Sequence, residues 1–196
     1  MRIGVLMLAT ILAAAPAEKP TPQQRHRAAA AMMHRGFMLM SAEIHPGEPI
    51  GMEQVYKGMS CDGGNISPSL AWRGAPRDTK SFAVTVFDPD APTGSGWWHW
   101  IVYDIPADST RLAADAGRAD GSHLPPGAAQ GVTDFGAPGY GGPCPPPGKP
   151  HHYVFTLFAL DVAKLGAPAG ATAAHIGFLL NGHALAKATL TGIYGR

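Results

Sequence analysis

Alternation of apolar and polar positions is strongest in the middle of the chain, where it predicts strands. Ser81 to Phe87 places Phe82, Val84 and Val86 on one face and Ala83, Thr85 and Phe87 on the other. Both faces are largely apolar, so this strand belongs in the middle of a sheet covered on both sides. Trp98 to Ile105 behaves similarly, and strict alternation puts His99, Ile101 and Tyr103 on one face. His151 to Leu160 sends His151, Tyr153 and Phe155 one way and His152, Val154 and Thr156 the other. Shorter strands are expected over Phe37 to Ile44, Ser69 to Trp72 and Ala188 to Tyr194. Thr172 is placed to cap a helix over Ala173 to Lys187, with Ile176, Leu179, Leu180 and His183 on one stripe. From Ala107 to Gly142 there is little periodicity. A connection of that length in a compact domain usually serves binding or catalysis.

Composition sharpens this into a fold class. The 196 residues include 25 glycines and 19 prolines, yet 45% of the chain is apolar. That combination indicates an all-β core with long ordered loops rather than disorder. The formal net charge is +1 and no Lys/Arg stripe is present, which argues against nucleic acid as a partner. Arg2, the apolar run Ile3 to Ala14 and Ala15-Pro16-Ala17 read as a secretory signal over residues 1–17. Residues 18–36 read as a linker and 37–196 as one domain with no membrane span, expected in the periplasm or secreted. Cys61 and Cys144, each in a Gly-rich loop, are expected to form a disulfide in such a compartment. The alternative for them is a pair of buried free thiols.

Candidate chemistry gathers at two motifs. Asp88-Pro89-Asp90-Ala91-Pro92 leads through Thr93-Gly94-Ser95-Gly96 to Trp97-Trp98-His99-Trp100, and Gly142-Pro143-Cys144-Pro145-Pro146 precedes His151-His152-Tyr153. Together with Cys61-Asp62-Gly63-Gly64-Asn65-Ile66-Ser67-Pro68 and Thr133-Asp134-Phe135-Gly136, these motifs resemble the phosphatidylethanolamine-binding protein family. The bacterial branch of Raf kinase inhibitor-like proteins, of the YbhB/YbcL type, is the more similar. The likeness runs from Phe37 to Tyr194; where the family has His-Arg-Tyr, this chain has His151-His152-Tyr153.

The resemblance implies an antiparallel β fold with a large central sheet, a smaller second sheet and a C-terminal helix. It also implies a pocket for anions such as phosphate head groups, lined by Asp88, His99, Gly142, His151 and Tyr153. Imidazole and phenol groups can donate hydrogen bonds to an oxyanion, and a glycine amide can approach closely. Asp88 is expected to lie against His99, fixing its tautomer and favouring its charged form. Asp90 in the same turn is expected to be structural.

The function expected is that of an exported binding protein for a small anionic ligand, acting without a cofactor or metal and able to act on a partner protein. Kinase inhibition is implied only by the name of the family branch. The alternative is a hydrolase of phospho- or acyl-esters with His99 and His151 as acid and base. Against it, the chain has no Gly-x-Ser-x-Gly elbow, His-Glu-x-x-His or Walker loop. Aromatic residues around Trp97 and Tyr140, if exposed, would offer a homodimer face.

Overall fold

Ser81–Asp88 forms strand β5, and every residue in it except Phe87 is buried. Apolar side chains on both faces leave such a strand stable only when both faces are covered. The computed structural model describes residues 36–196; the expected signal segment and, apart from Gly36, the linker lie outside them. Strands β6 (Trp97–Pro106) and β9 (His151–Leu160) flank β5. Outside them lie β8 (Ala129–Gln130) and β10 (Ala184–Tyr194), giving the order β10-β9-β5-β6-β8. All four pairings are antiparallel. A smaller sheet joins β1 (Met38–Met40), β4 (Leu70–Arg73) and β7 (Arg111–Leu112), and β2 (Lys57–Gly58) pairs with β3 (Cys61–Asp62). Helix α1 spans Ala173–His183.

Each face of β5 opens onto its own core. Phe82, Val84 and Val86 pack with Phe155 and Leu157 of β9 and with Leu39, Leu70 and Trp72 of the smaller sheet. Ala83 looks the other way, into a cluster with Ile101, Tyr103, Phe158 and the α1 residues Ile176 and Leu180. Burying each large apolar side chain stabilises the fold by about 1.5–3 kcal/mol, so the two clusters fix the sheet between its covers. The architecture is therefore mainly β, with a large sheet, smaller sheets and a helix near the C-terminal end, as the resemblance implied.

Strand β6 departs from strict alternation. Val86 pairs with Trp100 but Phe87 pairs with Trp98, so His99 is the extra residue of a β-bulge. The bulge turns His99 to the face of Trp100 and Tyr153, whereas Ile101 and Tyr103 face the helix. The expectation that His99 shares a face with Ile101 and Tyr103 is thereby corrected. A second bulge between the Phe82–Ile105 and Val84–Val102 pairs includes Asp104, whose φ is 59°. It returns Ile105 to the cluster of Val102.

Three further expectations shift. The first strand stops at Met40 because the Ser41 hydroxyl accepts the N–H groups of Glu43 and Ile44, closing a turn. The helix ends at His183 rather than Lys187, where the His183 Nδ1 pairs with Asp161 Oδ1 at 2.9 Å and the His183 carbonyl accepts the Asp161 N–H. Residues 184–187 instead begin β10 and pair with the end of β9 from Leu160 to Phe158. The Tyr140 side chain is buried, its hydroxyl donating to the Gln54 carbonyl at 3.0 Å, and Trp97 leans edge-on against Phe135. Tyr140 is therefore not available to the homodimer face expected around Trp97 and Tyr140, whereas Trp97 is partly exposed.

Cys61 and Cys144 form a disulfide that closes 83 residues of chain. We expect reduction to lower the unfolding free energy by about 2–4 kcal/mol. Equilibrium urea unfolding with and without reductant measures this, and superimposable curves would show that the bond stabilises nothing.

Candidate functional site

The turn after β5 and the start of β9 are tied together by one carboxylate. Asp88 Oδ1 accepts the backbone N–H groups of Asp90 at 2.8 Å and Ala91 at 3.1 Å, shaping the double-proline turn. Its Oδ2 accepts the Nδ1–H of His151 at 2.8 Å. Asp88 is 3% exposed and His151 9%, so the pair sits out of bulk water. Turn-capping and imidazole-holding are thus both done by Asp88, one on each oxygen.

Asp90 repeats the arrangement on the outer side. Its Oδ2 accepts the backbone N–H and the ring Nδ1–H of His152, at 2.8 and 2.7 Å. Those two bonds, the backbone one first, hold the Asp90 carboxyl below the usual carboxylate range. Alternation along β9 thus gives each of two adjacent histidines its own aspartate from one turn. His152 is exposed and takes no part in the pocket, as the strand pattern predicts.

His99 is held differently from expectation. Its Nδ1 lies 2.7 Å from the Gly141 carbonyl oxygen, and the Gly141 N–H donates back to the His99 carbonyl at 2.9 Å. A carbonyl can only accept, so Nδ1 carries the hydrogen and Nε2 of the neutral ring is left with a lone pair. Asp88 contributes charge to His99 but gives its hydrogen bond to His151, because the bulge aims the His99 ring at the loop carrying Gly141. Burial lowers the imidazole pKa, outweighing the opposing effects of the Gly141 bond and the Asp88 charge. This lowering runs against the expectation that Asp88 favours the charged form of His99.

Tyr153 completes the cluster, its ring meeting His99 edge-on with centroids 5.1 Å apart. Burial, and then the negative charge of Asp88, push its phenol pKa up, so the hydroxyl stays protonated. The His99 Nε2 and the Tyr153 hydroxyl are both buried without a hydrogen-bond partner, although the Tyr153 hydroxyl faces the Asp88 carboxylate closely enough for that group to help hold its proton. Buried polar atoms are nearly always paired, and two orphans together call for an explanation. Asp88, His99, His151 and Tyr153 all line one cavity of about 330 Å³.

Gly142 stands outside that wall. Its N–H donates to Asn65 Oδ1 at 2.8 Å, and a Cβ there would lie 1.9 Å from the Gln54 carbonyl oxygen. Glycine is needed at this position for space, so that residues 141–142 can thread between β6 and the turn at Gln54. The amide expected to meet the ligand is already bonded to Asn65.

Sequence reasoning missed most of the apolar rim: Met59, Trp97, Phe135 and Pro145 to Pro147. Phe135 stacks on Tyr56 with centroids 4.5 Å apart and touches the His99 ring edge-on at 5.4 Å. Its place in Thr133-Asp134-Phe135-Gly136 was the available signal, since the surrounding loop has no periodicity. Arg196 also lines the cavity, donating to the carbonyls of Pro145 and Ser60. Cys144 brings the disulfide into the same wall. The site is therefore polar at its inner end and apolar at its mouth. Among the described residues no group of three or more His, Cys, Asp or Glu side chains is placed to hold a metal.

The comparisons with known proteins agree with this fold. The family model described as phosphatidylethanolamine-binding protein matches residues 40–195. The chain is 54% identical over 159 residues to the UPF0098 protein YbcL of Escherichia coli, covering 81% of this chain and 87% of that protein. It is 46% identical over 156 residues to the UPF0098 protein YbhB of the same organism, covering 80% and 98%. The crystal structure of E. coli YbcL, described as a new member of the mammalian PEBP family, superposes with a TM-score of 0.80 at 53% identity. That match covers 82% of this chain and 98% of the other.

The neutral His99 has a measurable signature. Above the ordinary imidazole value of 6.5 the ring is uncharged in both folded and unfolded states. Below it the unfolded chain takes up the proton first, so stability falls as pH drops from there towards the lowered folded-state value. Nitrogen-15 NMR of the imidazoles should show His99 as the Nδ1–H tautomer and still neutral at pH 6.5. A His99 resonance titrating at the ordinary midpoint would contradict the assignment.

Proposed function

The chain belongs to the phosphatidylethanolamine-binding protein family, and from that premise we propose that it is a binding protein whose cavity takes a small phosphorylated or otherwise anionic head group. One observation carries the proposal: His99 Nε2 and the Tyr153 hydroxyl, both buried and unpartnered, belong to walls of the same cavity as the Asp88–His151 pair. An occupant supplies the missing partners. The Tyr153 hydroxyl donates to an anionic oxygen, and the His151 Nδ1–H on Asp88 fixes which ring edge His151 turns to the cavity. The apolar mouth formed by Met59, Trp97, Phe135 and the prolines suits a guest whose charged tip carries an organic substituent.

Binding without turnover fits the residue set better than hydrolysis. Asp88 orients His151 as a carboxylate orients a general base, but the hydroxyl groups lining the cavity are poor nucleophiles in this setting. Thr93 gives its hydroxyl to the Gly96 carbonyl, and the Tyr153 phenol is held protonated. We place the protein outside the cytoplasm, in the periplasm or secreted. The secretory pattern of residues 1–17 and the Cys61–Cys144 disulfide support that location. Action on a partner protein is compatible with this role, the filled pocket setting the shape of its rim.

Calorimetric titration with phosphoethanolamine tests the proposal. Saturable one-to-one binding is expected, weakened about tenfold in Tyr153→Phe through loss of one hydrogen bond to a charged oxygen. A parallel panel of phosphoesters and acyl esters is expected to show no turnover. Absence of saturable binding would overturn the pocket's role, and turnover abolished by His151→Ala would replace it with the hydrolase alternative.

A further inference from the structure

The two imidazoles of the pocket offer different things to a guest. His151 has its Nδ1–H on a carboxylate, whereas His99 has its Nδ1–H on a neutral carbonyl. The groups facing His99 come from several elements. Asp88 lies at the end of β5, and His151 and Tyr153 lie on β9. Phe135 and Asp134 sit on the loop before Gly141, with Asp134 contributing charge from further off. Two carboxylates thus act on a ring that is 3% exposed, and burial still lowers its pKa below the ordinary value. The atom left over is an acceptor, Nε2, buried and without a donor. An acceptor at the inner wall of an anion pocket repels a bare oxyanion, because both atoms bring lone pairs to the same place.

We propose that His99 is the specificity-determining acceptor of this pocket, its Nε2 taking a hydrogen bond from a hydroxyl that the bound oxyacid retains, so that the cavity selects a phosphomonoester monoanion over oxyanions that carry no proton. This rests on the anion-pocket reading above and adds to it the protonation state of the guest. An unprotonated oxygen of such a monoanion accepts from the Tyr153 hydroxyl, while the P–OH donates to His99. Hydrogen bonds then run in one consistent direction around the ligand, and both orphaned atoms are satisfied. A site built to bond a ligand hydroxyl rejects analogues that lack it, since its buried polar group is then left unpaired.

Methyl phosphate and methyl sulfate make the test. At pH 5.5, below the second phosphate pKa of about 6, methyl phosphate is mostly a monoanion, and a His99 ring still neutral in the nitrogen-15 spectrum at that pH is part of the expected result. Methyl sulfate has the same charge and nearly the same shape but no hydroxyl. Calorimetric titration of the intact, oxidised protein with each should give methyl phosphate an advantage of roughly tenfold or more. A His99→Gln variant, whose side-chain amide can either donate or accept, should bind both, with the ratio falling towards one. The comparison in the unaltered protein stands even if that variant fails to fold. Equal affinity for the two esters overturns this inference and leaves the anion pocket intact. Failure of both to bind overturns the anion pocket and this inference together.

Discussion

A single buried carboxylate, Asp88, joins the loop that follows the central strand to the first residue of its neighbour. One oxygen takes two backbone N–H groups of the Asp88–Pro92 turn and the other takes the His151 ring. Removing one member of such a buried pair leaves the other uncompensated, which costs about 3–5 kcal/mol where it has been measured. The contact therefore fixes the inner end of the cavity, and the disulfide and Arg196 fix the opposite rim, where the prolines after Cys144 pass over it. Between these anchors the wall residues have little freedom to rearrange.

The second constraint is the bulge at His99. Without the extra residue, His99 would turn to the helix-facing side with Ile101 and Tyr103, away from Tyr153. The bulge leaves the His99 carbonyl and ring to be met by Gly141, which bonds both. Gly141 can come that close only without a side chain, since a Cβ would lie 2.2 Å from the Phe135 ring. Loop, bulge and aromatic wall are thus one packed unit. Bulges are common beside functional sites because they re-aim a side chain without breaking the sheet.

Much of this was legible in the sequence, for physical reasons. The three long strands showed because two-sided burial demands apolar residues at nearly every position. The parity of β9 separated His151 from His152, and the structure places them on opposite faces, each with an aspartate of the same turn. The cysteines bonded as expected. What stayed hidden was whatever depends on register. A bulge leaves no mark in the alternation of short apolar runs, so His99 was given Asp88 as partner when Gly141 holds it. The helix appeared four residues too long because Ala184 to Lys187 continue a helical composition while β9 still needs a hydrogen-bonding neighbour. The loop residue Phe135 had no periodicity to reveal it, and Gly142 showed its need for glycine but not that the reason was space.

Taken together, neutral His99, Asp88-bound His151 and protonated Tyr153 give the cavity an ordered set of donors and acceptors rather than a diffuse positive charge. The most direct test is a crystal structure of the protein grown with a phosphomonoester. The account predicts phosphoryl oxygens within hydrogen-bonding distance of His99 Nε2 and the Tyr153 hydroxyl at once, with the Asp88–His151 contact preserved. A phosphoryl group seated elsewhere, or seated there with His99 Nε2 and the Tyr153 hydroxyl still unpartnered, would contradict it.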